Sequence, residues 1–589
     1  MTVRSPVSKL RYKGRQGGLN GRKTKVGNGM TSIHMSYVRG ETSVPLLEDT
    51  VGAILDRAVT CWPDMEVLVS IDQGIRWTYQ EFGRRVAGVA AGLLSLGLQP
   101  GDRVGVWAPN CAEWLLMQFA TARIGLVLVN INPAYRLAEL EYSLNAVGVK
   151  AVIAAQSFKS SDYVGMLETL APEIAEHLPG ELQAARVPQL RLVAKIGGGT
   201  RRGWLQFDAI HANDHSAVLA AAATVDRLQP INIQFTSGTT GLPKGAALSH
   251  RNSVNNAYLV GRSMGLREGD RLCVPVPLYH CFGMVMSNLA CVVHGATIVY
   301  PSAGFDPLAV LKAVESERCT ALHGVPTMFI AELDHPQFER FDLSSLRAGI
   351  MAGSPCPIEV MRRVVERMHM REVTIAYGMT ETSPVSFQSS IQDSLERRVS
   401  TVGRILPHTE CKIVDDQGHT VPRGDTGEIC TRGYAVMLGY WNDPERTAEA
   451  IDAEGWMHTG DLGTLDADGY CNIVGRSKDM IIRGGENVYP REIEEFLFRH
   501  PKIAEAAVVG LPDEKYGEEI CAWIRLREGV TADEQEIRDY CRSQIAHYKI
   551  PRYVRFVAAF PTTVTGKIQK YLIRRAMTDE LLLSEQRTA

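Results

Sequence analysis

From about Glu48 onward the chain alternates amphipathic helical stretches with short β-branched runs, and this alternation constrains its fold more than any other feature. Thr78–Leu98 carries apolar residues at helical spacing, Asp102–Ala108 (DRVGVWA) reads as a strand, and Ala112–Gly125 is helical again. Strand and helix taken in turn predict an α/β protein with parallel sheets covered by helices. The 589 residues hold 45% hydrophobic and 22% charged side chains, which excludes a small module, a disordered chain and a fibre.

A change of pattern comes late in the sequence. Turn-rich TGDLGTLDADGY (459–470) and GRSKDMIIRGG (475–485) precede a charged helix at Pro490–His500 and strands at 504–512 and 519–527. The expected organisation is a basic leader over 1–40, a large domain over 41–477 and a small mobile α+β cap over 478–589. The leader holds nine basic residues, no acid and six glycines between Gly14 and Gly29, so it reads as disordered. The remainder carries 54 basic against 66 acidic residues, a net −12, and nothing in it points to a nucleic-acid partner. Without a secretory or membrane-spanning apolar run, the expected compartment is the cytoplasm; the leader also permits a mitochondrial transit peptide. Oligomeric state is left open, and a homo-oligomer is compatible with the sequence. The twelve cysteines form no CxxC pair, so buried reduced thiols are expected, and nothing marks Cys281 as a nucleophile.

The most informative segment is TSGTTGLPKG, Thr236–Gly245, which follows an alternating strand (INIQF) and precedes AALSHRNSVNNAYLV, a helix-compatible stretch. Its glycines let backbone amides approach an anion, and Thr236, Ser237, Thr239 and Thr240 add hydroxyl donors. Gly238 and Gly241 supply the freedom and Lys244 the charge, so a polyphosphate such as ATP suits the loop. A Walker A loop needs glycine where Pro243 stands and a hydroxyl where Gly245 stands, so that pattern is not met. A Ser/Thr/Gly surface linker remains the plain alternative for these ten residues alone.

The loop resembles the signature of the acyl-adenylate-forming superfamily, which comprises acyl-CoA synthetases, beetle luciferases and amino-acid adenylation domains. Further motifs of that family follow in order: PLYHCFG at 277–283, YGMTE at 377–381, TGD at 459–461, GRSKD at 475–479 and PTTVTGK at 561–567. The resemblance spans about residues 45–580 and implies a large domain of helix-covered sheets plus a distorted barrel, with a mobile cap. It implies that Thr380 donates to the α-phosphate, that Glu381 holds Mg²⁺, and that Tyr377 and Gly378 line the nucleotide site. Asp461 then grips the ribose hydroxyls, Arg476 contacts ribose or phosphate, and Gly353, Ser354 and Pro355 lie along adenine. Lys567 is the implied catalytic clamp, a cation held against developing negative charge. Lys478 is the hinge, Gly484 and Gly485 pass close to the pantetheine of CoA, and His280 stands at the mouth of the acyl pocket. Met284, Val325, Met328, Ala352 and Met379 are candidate pocket walls.

NPAYRLAELEYSLNAVGVKAVI (132–153) and FKSSDYVGML (158–167) are similar to medium-chain fatty acyl-CoA ligases. The implied reaction turns a fatty acid, ATP and CoA into acyl-CoA, AMP and pyrophosphate. A free-standing adenylation enzyme that passes its acyl group to a carrier protein is the alternative. A luciferase-like oxygenase shares the same motifs. A catalytically dead scaffold would have lost Glu381, Asp461, Arg476 or Lys567, and all four are present.

Overall fold

In the computed structural model the described residues are 34–236, 243–484, 486–542, 544–563 and 566–581. Two large sheets carry most of the chain. One has eight strands and is parallel through Leu205–Gln206, Leu192–Ile196, Val149–Ala155, Arg103–Trp107, Val127–Asn130 and Pro230–Thr236. The other has nine strands, with a parallel centre at Glu372–Gly378, Ala348–Ala352, Ala321–Gly324, Arg271–Cys273, Thr297–Tyr300 and Glu66–Ser70. Helices cover these strands, so VLVN at 127–130 and AGIMA at 348–352 are buried throughout, as strands covered on both faces must be.

The helix boundaries follow local chemistry. Thr78 accepts from the Glu81 amide to start Tyr79–Ser95, Asp306 accepts from Ala309 ahead of Pro307, and Gly148 ends Leu137–Val147 in the left-handed region. The sequence-derived strand and helices over 78–125 appear at Arg103–Trp107, Tyr79–Ser95 and Ala112–Arg123.

A five-stranded antiparallel sheet (Tyr37–Arg39, Thr409–Val414, Gly427–Gly433, Met457–Leu465, Cys471–Arg476) packs beside the large ones. Tyr37–Arg39, placed in the leader by the sequence, is therefore an edge strand paired with Glu410–Lys412. Its aromatic and β-branched residues find a ladder partner that lies far off in sequence. A smaller sheet follows, built from Ile481–Arg483, Glu486–Val488, Ile503–Asp513, Gly517–Leu526 and Tyr553–Phe556. It has its own apolar core around Val508, Ile520 and Ile524. No helix among the described residues is long and apolar enough to cross a membrane.

The topology decides where a ligand can enter. From Arg103–Trp107 the chain adds Val127–Asn130 on one side and then Val149–Ala155 on the other. From Arg271–Cys273 it likewise adds Thr297–Tyr300 and then Ala321–Gly324 on opposite sides. Crevices open at the carboxyl ends of strands where the order reverses. A cavity of about 480 Å³ lies there, lined by Ala108, Phe158, Pro275 and Met328 and closed by Phe560 and Gly566 of the C-terminal segment.

Phe119, fully buried, meets Phe82 edge to face at 5.3 Å between the helices behind the first sheet. Phe119→Ala removes that ring and leaves a cavity, so a loss of about 3–5 kcal/mol is expected. It would be read as a lowered urea midpoint against wild type.

Candidate active site

Thr236 and Lys244 face each other across an antiparallel pair, Pro230–Thr236 with Lys244–Ser249. The segment AALS is thus a strand and not the helix its composition suggests. Wedged between Pro230–Thr236 and Gly439–Tyr440, it gains ladder bonds that outweigh its helix propensity, and the helix begins at His250 behind a Ser249 cap. The strands on either side of the motif are therefore an antiparallel pair. Ser237, Gly238, Thr239, Thr240 and Gly241 lie outside the described residues. The strand leading into the loop is anchored by buried amides: Asn232 donates to Asn130 at 2.8 Å, and Gln234 donates to Asn232 at 2.8 Å.

At the hairpin's end Thr236 Oγ1 donates to Glu381 Oε1 at 3.1 Å, and Tyr440 donates to the same oxygen at 2.8 Å. Lys244 Nζ stands 4.3 Å from the centre of the Tyr440 ring, a cation–π contact. Glu381 is only 4% exposed and forms no ion pair among the described residues. It sits in a single 3₁₀ turn, Thr380–Thr382, after the strand Glu372–Gly378. Gly378 is required by space: a Cβ there would stand 1.8 Å from the Pro384 carbonyl oxygen, where the ladder to Val385–Gln388 shifts register. Burial pushes the neighbouring Cys281 thiol up to about 12, which leaves it no nucleophilic character.

Asp461 lies opposite Arg476 on adjacent strands, and its Oδ1 takes the guanidinium Nε at 3.0 Å. Its Oδ2 accepts from the Tyr377 hydroxyl at 2.7 Å, across from the nine-stranded sheet. Tyr377, Asp461 and Arg476, separate motifs in the sequence, are thus one hydrogen-bonded set. Gly353 has φ +89° and follows the strand Ala348–Ala352; Ser354 continues the bend and Pro355 comes directly after it. The next helix takes Pro357 as its N-cap, so the AGSP turn is not a helix cap.

Lys567 comes from the C-terminal segment and lies within electrostatic reach of Asp461, Arg476 and His280. Its neighbour Gly566 accepts from Thr327 Oγ1 at 3.3 Å, which fixes this contact between the segment and the helix Pro326–Leu333. Burial, then the Arg476 guanidinium, lower the Lys567 ammonium to about 8, with Asp461 acting against the shift. The residue is open to the cleft, so water moderates this effect. His280 is lowered to about 4 by burial and then by Lys567, and its Nδ1 accepts from the Phe282 amide at 3.3 Å. The imidazole is therefore neutral, with its hydrogen on Nε2.

Lys478 is exposed in the turn Ser477–Asp479, which links the last strand of the five-stranded sheet to the first of the C-terminal sheet. Gly484 has φ +60° in the hairpin after Ile481–Arg483 and donates to the Tyr516 carbonyl at 2.8 Å; Gly485 lies outside the described residues. Among the candidate acyl-pocket walls, Met328 lines the cavity. Tyr440 escaped the sequence reading. Its only local signal is Gly-Tyr-Trp, which says nothing of an acid 59 positions away.

The structure thus holds two buried acids, Glu381 satisfied by hydroxyls and Asp461 by Tyr377 and Arg476, with Lys567 near the second. The sequence model of the AMP-binding enzyme family matches residues 55–441, and that of the AMP-binding enzyme C-terminal domain matches 492–567. The chain belongs to this family. It is 50% identical over 556 residues to the mitochondrial medium-chain acyl-CoA ligase ACSF2 of Danio rerio, covering 93% of this chain and 92% of that one. It is 48% identical over 550 residues to the putative acyl-CoA synthetase YngI of Bacillus subtilis, covering 92% and 99%. Among solved structures, the anthranilate CoA ligase AuaEII in complex with anthranoyl-AMP superposes with a TM-score of 0.80 at 28% identity, over 92% of this chain and 99% of that one.

Tyr377→Phe leaves Asp461 held by Arg476 alone. Loss of one hydrogen bond to a charged group is expected to weaken AMP binding by roughly ten-fold, read by calorimetric titration.

Proposed function

We propose that this enzyme activates a fatty, medium-chain carboxylic acid with ATP and transfers the acyl group to CoA. The convergence of Lys567 on Asp461, Arg476 and His280 carries this reading, because a cation delivered by a separate lobe serves one half-reaction and can leave for the next. The names of the relatives support the medium chain. A carboxylate oxygen attacks the α-phosphorus, the bond to the bridging oxygen breaks, and pyrophosphate leaves. The CoA sulfur then attacks the acyl carbon, its proton is released, and AMP departs with the oxygen.

Each residue has a task in this scheme. Thr236, Lys244 and the hydroxyls and amides of 237–241 hold the phosphates; Thr380 donates to the α-phosphate. Asp461, oriented by Tyr377, takes the ribose hydroxyls, Arg476 flanks them, and Gly353–Pro355 and Gly378 leave room for the base. Lys567 stabilises charge on the α-phosphate, and neutral His280 offers Nε2–H to the acid's carboxylate. Glu381 fits Mg²⁺: it is buried, it has no cationic partner among the described residues, and it is a hard oxygen donor. When bound, the ion offsets phosphate charge.

The domain boundary falls at Lys478, in the exposed turn between two sheets. Rotation there brings Gly484 and Gly485 toward the site for CoA, whose thiol has the 480 Å³ cavity as its approach. We read the enzyme as cytoplasmic, with the mitochondrial matrix as the alternative that the basic leader and the relatives' names support. A reporter fused to residues 1–40 separates the two.

CoA-dependent AMP release across saturated acids from acetate to palmitate tests the assignment: a peak at medium chain is expected. Pyrophosphate exchange without CoA turnover would point to a carrier protein as acceptor. Lys567→Ala is expected to lower adenylation about 100- to 1,000-fold while sparing thioester formation from supplied acyl-AMP.

The pH profile tests the clamp separately. The charged ammonium is the active form and its pKa is depressed, so the clamp is intact below about 8 and lost as pH rises through it. kcat/KM for adenylation, which reports the free enzyme, should fall on that limb. Lys567→Arg should remove the limb, and a flat wild-type profile into the range of an ordinary lysine would count against the assignment.

A further inference from the structure

Behind the Asp461 turn lies a cluster that the reaction above leaves unused. Glu428, Cys430 and His458 are the one metal-type grouping among the described residues whose donor atoms all lie within 4.8 Å of one another. Its bonding runs elsewhere. His458 Nδ1 stands 2.8 Å from Glu428 Oε2. A carboxylate only accepts, so this nitrogen carries the hydrogen and donates it, and has no lone pair left for a metal. Cys430 Sγ lies 3.5 Å from the same Nδ1, and Asp452 Oδ2 faces Nε2 at 3.8 Å.

The other oxygen of Glu428 accepts the Gly460 amide at 2.9 Å. That amide needs a partner because the ladder fails here. Strands Gly427–Gly433 and Met457–Leu465 pair Glu428 with Leu462 and Cys430 with His458, so Thr459, Gly460 and Asp461 together oppose Ile429 alone. Gly460 is at φ +68°, with open space where a Cβ would be, so conformation and not crowding calls for glycine. Thr459 Oγ1 donates to the Ile429 carbonyl at 2.7 Å and accepts from the Asp461 amide at 3.1 Å. Side chains thus replace the missing ladder bonds of the turn that presents Asp461.

We propose that Glu428 and His458 are positioning residues for the nucleotide: His458 fixes the Glu428 carboxylate, which fixes Gly460 and so aims the Asp461 side chain. This rests on Asp461 being the ribose contact. His458→Leu removes the donor, whereas His458→Asn returns an N–H near the Nδ1 position, so the two variants separate positioning from bulk.

In the overall ligase reaction, His458→Leu is expected to raise KM for ATP about ten-fold, the size of one such bond, with KM for fatty acid and CoA unchanged. His458→Asn should recover most of the loss, and Glu428→Gln should resemble His458→Leu. A uniform rise in all three KM values, an unchanged KM for ATP, or failure of His458→Asn to recover would overturn the proposal. So would a zinc ion that the wild-type enzyme retains after dialysis and Cys430→Ser does not. Asp461→Ala serves as the control: if it leaves KM for ATP unchanged, the ribose assignment has failed; if it raises KM while His458→Leu does not, only the positioning has failed.

Discussion

A carboxylate held 6% exposed where several sheets meet must have its charge compensated, and the way Asp461 achieves this organises the molecule. Its two oxygens are divided between Tyr377 of the nine-stranded sheet and Arg476 of the adjacent strand in the five-stranded one. Lys567 approaches from the C-terminal segment. One negative charge is thus shared by three parts of the fold. Isolated burial of such a charge would be costly, and directed hydrogen bonds are what make it tolerable. The same bonds leave the carboxylate oriented, which a ribose contact needs.

Glu381 answers the same problem differently. Its partners are hydroxyls, Thr236 and Tyr440, and the Tyr440 ring in turn carries the Lys244 ammonium. Neutral donors satisfy the oxygen without cancelling its charge, which preserves its capacity to hold a cation. The two acids therefore have distinct roles by virtue of their neighbours. Lys567 and His280 extend this logic: burial lowers both, helped by Arg476 at the lysine and by Lys567 at the histidine, so the ammonium retains its charge at neutral pH while the imidazole does not.

The parallel α/β architecture and the helices around residues 78–125 were legible because period and capping are local properties of the chain. The motifs were legible as well, since short strings around glycine and threonine announce their chemistry. What misled was context: AALS at 246–249 has helical composition but lies between two strands, and Tyr37–Arg39 reads as leader until its partner at 410–412 is seen. Gly484, expected from its motif to pass close to CoA, lies at φ +60° in a hairpin turn. Tyr440, Glu428 and His458 carry no signal of their own, because each acts on a residue that only folding brings near.

By itself the sequence determined the class of the fold and the motifs that mark the family, since these depend on residue type and short spacing. The tertiary structure decided which of them share a hydrogen bond. It joined Tyr377 to Asp461 across 84 positions and Tyr440 to Glu381 across 59, and it brought Lys567 to Asp461 and Arg476 from the far end of the chain. The reason is geometric: strand order and crossover direction place distant carboxyl ends side by side, and no local pattern encodes that adjacency.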